Sequence, residues 1–151
     1  MPDTAFATLL DKAQNTTAEK RLCVPDDWMQ GRTAYGGLVA AMALKSMRGH
    51  VARERKVRSL FFSFVGPLDS EPFFIRTQLL RSGKSVTTIE SKIIQNDKIC
   101  CTAVGSFGGD RESQIQMKPI ERLEMPDPSK AIELPYIEGL TPAFTRHFNY
   151  R

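Results

Sequence analysis

Histidine is scarce in this chain of 151 residues: only His50 and His147 occur, and neither has a second ligand at metal-binding spacing. No metal centre is expected, and no cofactor. Cysteine is scarce as well. Cys23, Cys100 and Cys101 are an odd number, which argues against a disulfide framework and for reduced, buried thiols in a cytoplasmic protein. The adjacent pair is expected to point to opposite faces of a strand. No apolar run approaches the roughly 20 residues of a membrane span, so no membrane partner is expected. The short apolar patch near the N-terminus follows Asp3 rather than lysines, unlike a signal peptide. Dinucleotide and phosphate-loop fingerprints are missing. Gly105-Ser106-Phe107-Gly108 has Val104 where a nucleophile elbow needs glycine. The most consequential gap is a carboxylate: between Gly36 and Val51 there is no Asp or Glu.

What remains is an ordinary globular composition, 41% hydrophobic and 25% charged, in a length that suits one core. The net charge of +4 sits largely in Lys45, Arg48, Arg53, Arg55, Lys56 and Arg58, offset there only by Glu54. That run reads either as a solvated helix end, favoured by the helix dipole, or as an anion site. Nucleic acid is not an expected partner, because no aromatic residues interleave the basic ones.

The chain centres on Tyr35 to Gly49. Leu38 to Leu44 is apolar on every side, which predicts a helix that must be surrounded. Gly36 and Gly37 open it, and Gly49 stands where a left-handed cap is expected. The free N–H groups at such a start can receive a developing oxyanion. Gly36 and Gly37 are therefore candidate catalytic donors, beside the alternative that Gly-Gly is only a tight turn.

Helical spacing of Phe6, Leu9, Leu10 and Ala13 predicts a short N-terminal helix. Residues 17–24 read as a first strand, and Met29 to Ala34 as a loop. Strands follow at Val57 to Val65, Phe73 to Leu80, Val86 to Gln95 and Ile99 to Phe107, taken as antiparallel and joined by short hairpins. In the third, Ile89, Ser91 and Ile93 face one way and Thr88, Glu90 and Lys92 the other. From Asp110 to Pro142 five prolines among scattered charges give a linker composition. Residues 143–151 alternate like a strand. The fold class expected is α+β, with an antiparallel sheet on a central helix and a partner, or a second copy, covering the rest.

Three segments carry a resemblance: Gly31 to Ala41, Arg58 to Pro67, and Leu80 to Ser85. In that order they resemble the acyl-CoA thioesterase II family, hotdog-fold enzymes that hydrolyse fatty acyl-CoA. The resemblance implies a sheet wrapped around one long helix, an acyl-CoA substrate, and two hotdog repeats per chain. On that reading residues 1–109 are the N-terminal hotdog repeat, 110–142 the linker, and 143–151 the first strand of a truncated second repeat. It implies further that the catalytic Asp, Thr and Gln belong to the second repeat. Here the Thr position falls near Arg55, the Gln position near Gly105, and the Asp position on the acid-free central helix, so none carries over.

The function expected from the resemblance is acyl-CoA thioester hydrolysis, with its base unknown. Asp26 and Asp27 lie upstream and read mainly as loop solvation. Candidate substrate-binding residues are Tyr35 at the helix start, Arg58 for a CoA phosphate, and the turn Gly83, Lys84 and Ser85. Each has a plainer reading as a packing, solvent-facing or hairpin residue. The alternative function is a non-catalytic acyl-CoA-binding or dimerisation module. A hotdog hydratase is disfavoured, since His50 follows the helix with no Asp before it.

Overall fold

The computed structural model describes residues 4–14, 20–115, 117 and 124–151. Helix α1 (Phe6–Gln14) is where its spacing puts it, burying Leu9 and Ala13 and packing on α2 (Gly36–Arg48). Of the strand expected at 17–24, residues 17–19 lie outside the described residues. The remainder makes one antiparallel bridge, Leu22 to Phe73. Pro25 and Pro72 flank that bridge; neither can donate to a ladder, so pairing stops there. The expected loop at Met29 to Ala34 is instead a small hairpin, β1 (Met29–Gln30) against β2 (Thr33–Ala34). Gly31 supplies its positive φ of 65°.

Strands β3 (Lys56–Phe64), β4 (Phe74–Ser82), β5 (Val86–Gln95) and β6 (Lys98–Gly108) form one antiparallel sheet. Its order is β3-β6-β5-β4. The hairpin expectation holds for β4–β5 and β5–β6 but not for β3. That strand pairs with β6, so the chain between Phe64 and Phe74 must cross from one edge of the sheet to the other. The crossing is part of the core: Leu68 and Phe73 are buried along it, and Ala34 N donates to Leu68 O at 2.6 Å. The β5–β6 turn uses Asn96 and Asp97 at φ 49° and 59°, a geometry that Asx residues tolerate.

α2 lies over β4, β5 and β6. Leu38, Val39, Met42, Ala43, Ser46 and Met47 are its buried residues, a stripe at helical spacing. Ala40, Ala41 and Leu44, on the remaining side, are only half-buried, so within this chain the helix is incompletely surrounded. Ser46 is buried with its hydroxyl satisfied: its Oγ meets Ala43 O at 2.9 Å, Thr77 Oγ1 at 2.9 Å and Ser91 Oγ at 3.0 Å. Gly49 is not the expected left-handed cap. Its φ is −63°, and glycine is needed for space, since a Cβ would stand 2.9 Å from Gln14 O at the end of α1.

Two further expectations are corrected. Cys100 and Cys101 do not face opposite ways; both are buried. Register slips between Ile93↔Cys101 and Ile94↔Ile99, leaving Cys100 as the extra residue of a β-bulge, where two successive side chains can share a face. Cys23, expected buried, is exposed. Residues 143–151, read as a strand, begin as a 3-10 helix, Ala143–His147, and only Tyr150 bridges, to Leu134. Pro142 starts the turn with φ −55°, and Thr145 Oγ1 donates back to Pro142 O at 2.7 Å. Those local bonds outcompete extension. From 124 to 142 the only helical element is a 3-10 turn, Pro128–Lys130.

Candidate functional site at the amino end of the central helix

The first backbone bonds of α2 run from Leu38 N and Val39 N to Tyr35 O, at 3.0 and 3.2 Å. The Gly36 and Gly37 amides precede them, in the positions that have no intrahelical acceptor. No acid occupies the first turn. A Cβ on Gly37 would lie 2.5 Å from the Tyr35 ring, so glycine is what lets that ring fold back over the helix start. There Tyr35 stacks on Phe144, with ring centres 4.1 Å apart and planes within 5°. Phe148 meets both rings edge-on.

Tyr35 and Phe148 help enclose a cavity of about 350 Å³ lined also by Phe6, Trp28, Gly37 and His147. Its walls are apolar apart from a few polar atoms, the composition of a small-molecule site. Gly36 lines a separate cavity of about 220 Å³ with Val39, Phe64, Leu68 and Cys100. The two glycines thus front different spaces, and Tyr35 shares its space with Gly37.

The other candidates lie elsewhere. Arg58 is the extra residue of a β3 bulge, between Val57↔Phe107 and Ser59↔Ser106. Its guanidinium donates to Gly108 O at 3.2 Å, Gly109 O at 2.7 Å and the Asp110 carboxylate at 2.9 Å. Hydrogen bonds from Lys56 and then Arg58 hold the Asp110 carboxyl below its ordinary value of 3.8. Arg58 and Ser85 border a cavity of about 290 Å³ with Val86, Gly108, Gly109 and Arg111. The turn at Gly83 and Lys84 is tied down, because Arg55 donates to both their carbonyls, at 2.9 and 3.1 Å. Arg58 stands six residues along β3 from Phe64, which lines one cavity with Gly36. At about 3.3 Å per residue that is roughly 20 Å. Helix start and basic end are separate places.

His147, which the sequence did not single out, lines the helix-start cavity, and Asp27 stands behind it in the wall of a neighbouring one. Asp27 follows Asp26 in a short 3-10 turn, Asp26–Trp28. Its Oδ2 accepts from Thr4 N at 2.6 Å and lies 3.2 Å from His147 Nε2, which is also 3.1 Å from Asp27 O. The Asp27 and His147 side chains are only 14% and 11% exposed. The His147 ring stacks on Trp28, with centres 4.1 Å apart and planes within 7°. Trp28 itself is buried, its Nε1 donating to Thr4 O at 2.9 Å. The available signal was Phe144 and Phe148 at helical spacing behind Pro142, an apolar face that needed a partner.

Among the described residues no cluster of three His, Cys, Asp or Glu side chains could hold a metal, and no helix is long and apolar enough to cross a membrane. A family model described as acyl-CoA thioesterase N-terminal domain matches residues 24–108. No curated protein sequence matches the chain. Solved structures do. A hotdog-fold protein of unknown function from Alicyclobacillus acidocaldarius is 21% identical, with TM-score 0.74 over 93% of this chain and 53% of that one. An acyl-CoA thioesterase II from Mycobacterium marinum is 20% identical, with TM-score 0.61 over 80% and 46%. A tesB protein from Mycobacterium avium subspecies paratuberculosis is 24% identical, with TM-score 0.62 over 83% and 50%. The fold is the hotdog fold, and the chain spans about half the length of these structures.

Proposed function

This chain belongs to the acyl-CoA thioesterase N-terminal domain family, and from that membership we propose that it serves in hydrolysing fatty acyl-CoA to free fatty acid and CoA. The observation that carries the reading is the aromatic cavity reaching the start of α2. An acyl chain lies against Phe6, Trp28, Tyr35 and Phe148, and the thioester carbonyl points at the Gly37 amide, a donor positioned before charge develops. Arg58, Lys84 and Ser85 are candidates for the CoA moiety at the other end of the sheet, with Gly83 shaping that turn. Arg58 must first exchange Asp110 for phosphate.

The partner is a second hotdog repeat or a second copy of the chain. Supporting this, β3 is an edge strand whose Phe61 and Phe64, with Val65 just after it, are each about 60% exposed, an unprotected edge of the kind that pairs. The location proposed is the cytoplasm, supported by three free thiols.

A second reading has its own observation. α2 carries no acid, and a side chain at Gly105, the Gln position implied by the family resemblance, would meet Met47 Sδ at 2.8 Å. On that reading the chain binds acyl-CoA, or dimerises, without turning it over. The test is calorimetric titration with a non-hydrolysable thioether analogue of a medium-chain acyl-CoA. Saturable binding weakened about tenfold by Tyr35→Ala is expected. No binding to a folded sample would end both acyl-CoA readings.

A further inference from the structure

We propose that His147, oriented by Asp27, is a general base of this chain's own, activating water against a thioester bound in the aromatic cavity. The inference rests on the thioesterase reading above and supplies the base that α2 lacks. It starts from a tautomer. Asp27 O is a carbonyl and can only accept, so His147 Nε2, 3.1 Å away, carries a proton. Asp27 Oδ2, at 3.2 Å, shares that proton. In the neutral ring the other nitrogen, Nδ1, then holds a lone pair, and among the described residues it has no hydrogen-bond partner. The stack on Trp28 fixes the ring plane, and His147 shares the cavity wall with Gly37.

A carboxylate ordering one imidazole nitrogen so that the other can take a proton is the logic of hydrolytic dyads on unrelated folds. The step balances without a further reactant. Nδ1 takes a proton from water as its oxygen bonds to the thioester carbonyl carbon. The resulting oxyanion faces the Gly37 N–H, and Asp27 offsets the imidazolium charge. The C–S bond then breaks, the electron pair leaves on sulfur, and Nδ1 returns its proton to give acid and free thiol. His147 is the catalytic residue and Asp27 a positioning residue.

The experiment follows CoA thiol release from a medium-chain acyl-CoA by the 151-residue chain, beside analogue binding and a thermal melt for each variant. The wild-type chain should turn over. His147→Gln, whose amide can still donate to Asp27, should lose about 100-fold or more in kcat with binding kept. His147→Gly should recover turnover with added imidazole but not with an ammonium salt, a rescue that a packing role would not give. Asp27→Asn should lower kcat more than it changes KM. Three results would overturn the proposal while leaving an acyl-CoA-binding module: analogue binding without wild-type turnover, turnover that survives His147→Gln, or a dead His147→Gly that imidazole does not revive. Failure of the wild-type chain to bind the analogue would remove the thioesterase reading and this inference together.

Discussion

The two ends of α2 are built on opposite terms. At the carboxy end Met47 and Phe107 both crowd Gly105, and the buried Ser46 hydroxyl meets three oxygens. Every buried side-chain polar atom among the described residues is satisfied. At the amino end the helix stops against a cavity, its walls aromatic rings and an imidazole, part of them brought from residues 147 and 148. Close packing gives a core one arrangement and resists change. A cavity beside free amides gives up that stabilisation and leaves room for a ligand. One end of this helix is fixed by packing, while the other is left beside open space.

The largest losses of stability are expected at the packed end. Ile89 is fully buried and pairs with Gly105 under α2. Ile89→Ala should cost about 2–5 kcal/mol in urea unfolding, through lost burial and a cavity the seam cannot close. Gly105→Gln should come next, at about 1–3 kcal/mol from overpacking against Met47 and Phe107. The same variant tests whether the helix–sheet gap could admit a side chain from β6. An unfolding midpoint equal to wild type would mean the seam is looser than drawn.

At the open end the expected effect on stability is smaller and the effect on binding larger. Phe144→Leu keeps most of the buried apolar area and removes the stack on Tyr35, worth about 0.5–1.5 kcal/mol beyond area. Its melting temperature should fall by a few degrees, while affinity for the thioether analogue drops about tenfold as Tyr35 loses its support. If the melt collapsed as far as that of Ile89→Ala, the two ends would not differ in kind.

How much of this was legible in the sequence follows the same division. β5 lies where alternation put it, because Thr87, Ile89, Ser91, Ile93 and Gln95 all point into the core. Its turn was legible from Asn96-Asp97. The place of β3 was not. Its pairing with β6 joins Lys56 to Gly108, a contact set by what the 65–73 crossing can bury rather than by any local pattern. The bulge at Cys100 was hidden for a similar reason, since one extra residue reverses alternation without changing composition. At the site, Tyr35 and Gly37 could be read because they adjoin a helix start. Asp27 and His147 are 120 residues apart, and the segment carrying His147 alternates like a strand while Pro142 and Thr145 turn it into a 3-10 helix.

The smallest effect is expected at the basic end, where the contrast can be sharpened without touching the core. Asp110 is exposed and holds Lys56 at 2.6 Å and Arg58 at 2.9 Å. Its carboxyl is held low in the folded chain, so whatever stability the contact contributes is present above the ordinary value of 3.8 and disappears as pH falls through the lowered one. Wild type and Asp110→Asn should therefore differ slightly in urea midpoint at pH 7 and coincide at strongly acidic pH, a difference that salt also erases. The substitution frees Arg58 and Lys56 at the same time. If Arg58 meets a CoA phosphate, Asp110→Asn should bind free CoA more tightly than wild type, with a steeper salt dependence. Unchanged affinity would mean that Arg58 serves only to close the end of the sheet, and would take it out of the candidates for CoA recognition.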